Sequence, residues 1–269
     1  MGKINIQQVL SDFEINPKLV VQVGSHYGQE VKMFYDLGFR DMYLFEPNEA
    51  ANDVCREKIA MFKDCNIKLV NIAIGNEIGE REMFVENANQ GQSSSLLEPK
   101  LHLEKFPQIV FNSKETVQIK RLDDYFGENK KISLLYLDCQ GFELEVLKGG
   151  LETLENVELI YTEVNFVELY KDCVLLPELE EYLFDKGFTL IALEEDQGGF
   201  SNALFLKSDI VKDYLEEVIP PAIVDGETVF NEERYLQLNP DVREAVERGD
   251  MESGLFHYER FGEKEGREI

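Results

Sequence analysis

A chain of 269 residues, 43% of them hydrophobic, is long enough to bury one full α/β core with a small appendage. Its 27 Lys+Arg against 53 Asp+Glu give a net charge of −26, a surface that repels phosphate backbones and argues against a nucleic-acid partner. No run approaches the ~20 apolar residues of a membrane span, and the N-terminus has no signal-peptide core.

Met1-Gly2 lacks the Ser or Thr at position 6 that a myristoylation signal needs. Cys55, Cys65, Cys139 and Cys173 show no CxxC spacing, which suits reduced thiols and a cytoplasmic location.

Leu19–Val23 is a β-branched run ended by a glycine-bracketed turn, Gly24-Ser25-His26-Tyr27-Gly28. Such a turn lets a nucleotide or an S-adenosyl group approach the backbone. The following helix start could face a pyrophosphate or a methionine carboxylate. The spacing is GxxxG rather than GxGxxG, which argues against NAD or FAD; a plain βα connection stays open. Val31, Phe34, Tyr35 and Leu37 predict a helix ending at Gly38. Met42–Phe45 is the next strand, and Glu46 ends it about twenty residues past the turn, the place for an acid that holds a ribose diol. Asn48 caps a predicted helix reaching Phe62.

Residues 67–74 read as one strand and 82–85 as an extra one. Residues 87–115 then lose all period, and an insertion of this kind is expected to shape the acceptor side. Thr116–Lys120 resumes the strand pattern. Ile132–Leu137 runs into Asp138-Cys139-Gln140-Gly141-Phe142 and a helix opened by Glu143. Residues 157–164 form the next strand, with Glu163 near its end. Asp138 and Glu163 on adjacent strand ends could take a proton, share one, or bind a divalent cation; helix-capping acids are the alternative. Cys139 reads as a small buried hydrophobe rather than a nucleophile. Arg121 could pin Glu143 or reach a substrate, with a structural ion pair equally open. A helix over 175–186 precedes 188–193 and 202–206, whose Gly198-Gly199 turn predicts an antiparallel hairpin. Repeated βα units closed by such a hairpin predict an α/β fold, and the pattern resembles the Rossmann-like, seven-stranded sheet of class I methyltransferases, whose last strand is antiparallel.

Ile219-Pro220-Pro221 breaks the chain. The expected division is a domain over 1–218, a linker over 219–230 and a short helical tail over 231–269, a small C-terminal extension that docks on the main domain or a partner.

Gln22-Val23-Gly24-Ser25-His26-Tyr27-Gly28, Phe45-Glu46-Pro47-Asn48, Ala73-Ile74-Gly75, Ser94-Ser95-Leu96, Arg121-Leu122-Asp123-Asp124 and the Asp138–Gly149 block, in this order, resemble the FkbM family of S-adenosylmethionine-dependent O-methyltransferases over residues 17–207. Gln22 stands where that family usually has an acid, His26 where it has Asn, and Tyr136 where it has Lys. The resemblance implies S-adenosyl-L-methionine held by Gly24, Ser25, His26, Gly28, Glu46, Asn71, Ala73 and Asp138. It implies catalysis by Asp138 and Glu163, with Ser94, Ser95, Arg121, Tyr136 and Glu143 towards the substrate. The tail, Tyr235-Leu236-Gln237-Leu238-Asn239-Pro240-Asp241-Val242 with His257-Tyr258 to Gly266-Arg267, resembles a motif that accompanies bacterial glycan enzymes. A glycan or glycolipid precursor is therefore the expected acceptor, with a glycan enzyme as a partner through the tail. A polyketide or other small metabolite, or a catalytically silent cofactor-binding module, are the alternatives. An NAD-dependent oxidoreductase fits least.

Overall fold

The protein is represented by a computed structural model that describes residues 3–127, 130–218, 222–224 and 227–267. By its internal contacts the chain divides into two compact units, Met1–Lys207 and Ser208–Ile269.

In the first unit α1 (Ile6–Asp12) is capped by Asn5, whose side chain accepts from the Gln8 N–H at 3.1 Å. It is too short to show a period in the sequence. Then come β1 (Leu19–Val23), α2 (Val31–Asp36), β2 (Asp41–Phe45), α3 (Glu49–Ile59) and β3 (Asn66–Val70). Asn48 caps α3 as expected, accepting from Ala51 N–H at 3.0 Å. Three strands make a separate small sheet: β4 (Ala73–Ile74), β5 (Gly79–Glu86) and β6 (Phe111–Lys120), with α4 (His102–Lys105) between the last two. The second half comprises β7 (Ile132–Leu137), α5 (Glu143–Lys148), α6 (Leu151–Leu154), β8 (Val157–Asn165), α7 (Leu176–Asp185), β9 (Phe188–Leu193) and β10 (Phe200–Lys207).

The main sheet has seven strands in the order β3-β2-β1-β7-β8-β10-β9. All neighbours are parallel except β10, which runs antiparallel to β8 and β9. This is the class I methyltransferase sheet that the hairpin predicted. β1, β7 and β8 are covered on both faces, so their sequences run apolar without alternation. Val20, Val21, Leu134, Leu135, Leu159 and Ile160 are all fully buried there. Strand order reverses between β1 and β7, and a crevice therefore opens outside their carboxyl ends.

Two expectations fail here. Residues 67–74 are not one strand: Ile72 N–H turns back to Val70 O at 3.0 Å, and β4 leaves for β6. Nor is 87–115 irregular throughout, since Phe111 to Glu115 pair with β5. Asn112 to Thr116 are all exposed, so no alternation betrays the strand.

The second unit contains α8 (Ser208–Val218), a hairpin of β11 (Ala222–Val224) and β12 (Glu227–Val229), and α9 (Glu232–Leu238), α10 (Pro240–Glu247), α11 (Gly254–His257) and α12 (Glu263–Glu265). Of the expected linker, residues 219–221, 225 and 226 lie outside the described residues. The tail motif is spent on holding this unit together. Tyr235, fully buried, shares a 2.8 Å hydrogen bond with His257 Nδ1. Arg267 donates to Asn239 Oδ1 at 3.0 Å and to both Asp241 oxygens at 2.8 Å. Tyr235→Phe should destabilise this unit by about 1–2 kcal/mol, because the buried His257 nitrogen loses its partner. Amide exchange should register the loss within residues 231–267 and leave β1 and β7 protected as before; uniform loosening of both units would contradict this. Among the described residues no helix is long and apolar enough to cross a membrane.

Candidate active site

The turn after β1 is fixed from both sides. Gly24 and Ser25 N–H both donate to Phe45 O, at 2.9 and 3.1 Å, and Asp138 N–H donates to Val23 O at 3.0 Å. Gly24 has φ +83°, and a Cβ on it would lie 1.8 Å from the Asp138 carbonyl oxygen. Only glycine lets these two strand ends close together. His26 is held at φ +42°. Its N–H donates to Glu46 Oε2 at 2.8 Å, while Gln90 O and Gln29 Nε2 lie 2.8 and 2.9 Å from Nε2 and Nδ1. That pair of partners fits the neutral Nε2–H tautomer.

Glu46 is 7% exposed. Its other oxygen accepts from Asn48 N–H at 2.8 Å. Burial pushes this carboxyl up to about 7, against the lowering by the two backbone donors, and Asp138 adds to the rise.

At the end of β7, Gln140 bridges two carboxylates. Its amide nitrogen donates to Asp138 Oδ1 at 2.7 Å and Glu163 Oε2 at 3.2 Å, while its oxygen accepts from Tyr170 at 3.1 Å. Gln140 takes φ +53°, the cost of aiming its side chain between the strand ends. Behind the loop, Glu143 is fully buried and accepts from Cys139 and Gly141 N–H at 2.8 and 3.3 Å. Burial raises Asp138 to about 6 and Glu143 to about 7, and lifts Glu163 well above the carboxylate range, with Asp138 and Glu143 adding to the last. The Cys139 thiol is also pushed well up by burial, which argues against a nucleophile, but the residue is half-buried and lines the cavity rather than sitting wholly in the core as expected.

Glu46, Asp138, Cys139, Gln140 and Glu163 line one cavity of about 450 Å³, whereas Glu143, expected towards the substrate, does not reach it and is spent on the loop amides. The cavity walls include Gly24, His26, Glu46, Ala73, Ser94, Ser95, Asp138 and Glu163, which the sequence singles out. Beyond the acids the wall becomes apolar, with Phe106, Ile109, Leu169 and Phe200. His102, 5% exposed, also lines it, and burial lowers its pKa so that the ring is neutral near pH 7. The segment 89–109 thus supplies much of the far wall.

Other expected residues are not brought to this cavity. Ser25 is fully buried beneath the turn, and Gly28 packs against Cys55. Asn71 pairs with Glu49 at the surface. Tyr136 stacks on Tyr161, with ring centroids 4.6 Å apart. Arg121 pairs with Asp124 at 2.9 Å instead of pinning Glu143, which the loop amides hold. Asp123 caps α6 through Thr153 N–H and Oγ1, both at 2.8 Å. The Arg121–Asp124 motif is therefore a fold clamp. The expectation of a divalent cation finds no support: a Gln140 hydrogen lies between Asp138 and Glu163, and among the described residues no group of three His, Cys, Asp or Glu is arranged for a metal ion. Sequence reasoning missed Gln140, Glu30, Tyr170 and His102, whose roles arise only from side chains meeting across elements.

The buried acids set a pH dependence. Unfolded, these carboxyls ionise near 4. Folded, Glu46 and Glu143 ionise near 7 and Asp138 near 6, so the native state binds more protons in between. Their contribution to stability is complete below about pH 4 and is lost as pH rises through 6 to 7. The ligand-free Tm should fall between pH 5.5 and 8, and Glu163→Gln should flatten that slope by removing a buried carboxyl whose protonated form the fold favours. Parallel slopes in the two proteins would contradict it.

The chain matches the methyltransferase FkbM domain family over residues 22–190. It is 29% identical over 194 residues to the 2-O-methyltransferase NoeI of Sinorhizobium fredii, covering 69% of this chain and 78% of that one. It is 39% identical over 87 residues to the methyltransferase sdnD of Sordaria araneosa, covering 29% and 32%. Among solved structures, a methyltransferase FkbM from Methylobacillus flagellatus aligns with TM-score 0.47 at 13% identity, over 70% of this chain and 42% of that one. A putative tRNA (m1A22) methyltransferase from Streptococcus pneumoniae, in complex with S-adenosyl-L-methionine, aligns with TM-score 0.43 at 14% identity, over 91% of each.

Proposed function

This chain belongs to the FkbM family of S-adenosylmethionine-dependent methyltransferases, and from that premise we propose that it methylates a hydroxyl of a sugar in a surface glycan or glycolipid precursor. The observation that carries the reading is the composition of the cavity. Among the described residues four carboxylates line it (Glu30, Glu46, Asp138 and Glu163) and no Lys or Arg does. Such walls suit a cationic sulfonium donor and a polyhydroxyl acceptor, and they reject phosphate-rich substrates.

The residues fit the donor. The Gly24 cradle, closed to any Cβ, admits a ligand against backbone. Each Glu46 oxygen keeps a lone pair beyond its backbone donor, enough to accept a ribose diol. The bound donor supplies an activated methyl group. What remains for the protein is to align an oxygen with it and to exclude water. Gln140 holds Asp138 and Glu163 together. Burial raises both carboxyls, Asp138 only to about 6, so that Asp138 is ionised at neutral pH, while Glu163 is pushed well above its ordinary range. Asp138 can then orient the acceptor hydroxyl and take its proton as the methyl group transfers.

The similarity to the 2-O-methyltransferase of Sinorhizobium fredii favours an oxygen acceptor. The tail motif favours a sugar, and we propose that the helical unit contacts a glycan enzyme. An acceptor with a larger apolar body, such as a polyketide, is the second reading, favoured by Phe106, Ile109, Leu169 and Phe200.

Calorimetric titration with S-adenosylhomocysteine, with NAD as control, tests the donor. Methyl transfer from labelled S-adenosylmethionine to p-nitrophenyl glycosides then tests the acceptor. Binding of the first ligand alone, followed by a methyl ether on a sugar carbon, is the expected result. Binding without turnover on any hydroxyl compound would favour the silent module. Glu46→Ala should weaken S-adenosylhomocysteine at least tenfold, since a buried charged acceptor is removed; unchanged affinity would release Glu46 from the ribose.

A further inference from the structure

The position of Gln22 raises a problem of charge. The side chain at the end of β1 is 1% exposed and neutral, where the resemblance leads one to expect an acid facing the donor's ammonium group. Gln22 is not idle, however. Its amide nitrogen donates to Glu30 Oε2 at 2.9 Å and leans on Gly24 O at 3.5 Å. Glu30, eight residues on, lines the cavity beside the Gly24 turn. Its charge reaches Asp138 and contributes to the rise of that carboxyl. The Gln22 side-chain carbonyl oxygen is buried with no hydrogen-bond partner, so the amide is turned with its donor side towards Glu30 at a real cost.

We propose that Glu30, positioned by Gln22, carries the anionic role at this end of the cavity and holds the α-ammonium group of S-adenosylmethionine. The acid has moved from the strand end to the start of α2, and a buried amide steers it back. This assignment rests on the S-adenosylmethionine reading given above. It adds a residue that the glycine turn and the strand-end acids do not reveal. It also gives the crowded negative charge a purpose: Glu30 and Asp138 both gain from a cation placed near them.

Two ligands separate this role from a structural one. S-adenosylhomocysteine carries the amino-acid moiety; 5′-methylthioadenosine carries the same adenosine and sulfur without it. Both are titrated calorimetrically at pH 7.5 into the wild type, Glu30→Gln and Gln22→Ala, with melting curves as a check on folding. Glu30→Gln is nearly isosteric at a partly exposed position, so the fold should stand. The expected result is a tenfold or greater loss for S-adenosylhomocysteine in Glu30→Gln, with 5′-methylthioadenosine unchanged within about twofold. Gln22→Ala should show a smaller loss with the same selectivity, because Glu30 is present but no longer held. Equal affinities of wild type and Glu30→Gln for S-adenosylhomocysteine would overturn the proposal. So would equal losses for both ligands, which would make Glu30 a support for the turn. Wild-type protein that bound neither ligand would instead bring down the donor reading itself, and this proposal with it.

Discussion

Gly24→Ala should cost the protein its donor site and about 3 kcal/mol or more of stability. The backbone there has φ +83°, and the added methyl carbon would sit 1.8 Å from the Asp138 carbonyl oxygen. No side-chain rotation relieves that contact, because both partners are fixed in the main sheet. Gly24 N–H is tied to Phe45 O at 2.9 Å and Asp138 N–H to Val23 O at 3.0 Å. Relief must come from parting β1 and β7, which are packed through fully buried Val20, Val21, Leu134 and Leu135. The same movement would displace Asp138 and the Ser25–His26 backbone that braces Glu46. Gly187→Ala is the control. That glycine has a similar φ, +77°, and nothing lies within 4 Å of the added carbon, so only the left-handed strain of about 1 kcal/mol remains. Thermal melting of both variants, with calorimetry against S-adenosylhomocysteine, measures the difference. If Gly24→Ala melted like Gly187→Ala and still bound, the closeness of β1 to β7 would not be what makes the site.

Much of the site is legible in the sequence, because an α/β sheet marks its own strand ends. A buried parallel strand is an unbroken apolar run, and the first polar residue after it is where the backbone reaches the crevice. Glu46 and Asp138 follow from that rule, Glu163 lies two residues before the end of β8, and all three line the cavity. The rule fails where side chains travel. Tyr136 lies two residues before Asp138 in the sequence, yet it stacks on Tyr161 away from the cavity. Arg121 is spent on Asp124. Conversely, Gln140 matters because it meets Glu163 from a strand 23 residues away, and Glu30 because Gln22 reaches across the turn. Neither meeting leaves a mark in composition or period. The small β4-β6-β5 sheet is obscured for another reason. A stretch of its β6 strand is solvated, so the binary pattern that announces a strand is missing from Asn112 to Thr116.

Asp138→Asn should lower turnover by a factor of about 10²–10⁴, the range for loss of a positioned general base. S-adenosylhomocysteine affinity should fall only a few-fold, because Glu30, Glu46 and the glycine turn are untouched and only one of the charges near the ammonium group is lost. Asn keeps the shape and can still meet Gln140, so positioning survives while the capacity to accept a proton is lost. Glu163→Gln should be milder. Burial, with Asp138 and Glu143 beside it, holds that carboxyl well above its usual range and so favours the uncharged form, which the amide mimics. A loss of about tenfold is expected there if Gln140 keeps its place. The pH profile separates the two roles. The Asp138 carboxyl sits near 6, so wild-type kcat at saturating S-adenosylmethionine should rise with pH through that value as the carboxylate forms. The acid limb should vanish in Asp138→Asn and persist in Glu163→Gln. If the two variants lost equal activity and kept the same limb, the proton would leave by another group. His102, buried, neutral and lining the same cavity, would then be the residue to replace next.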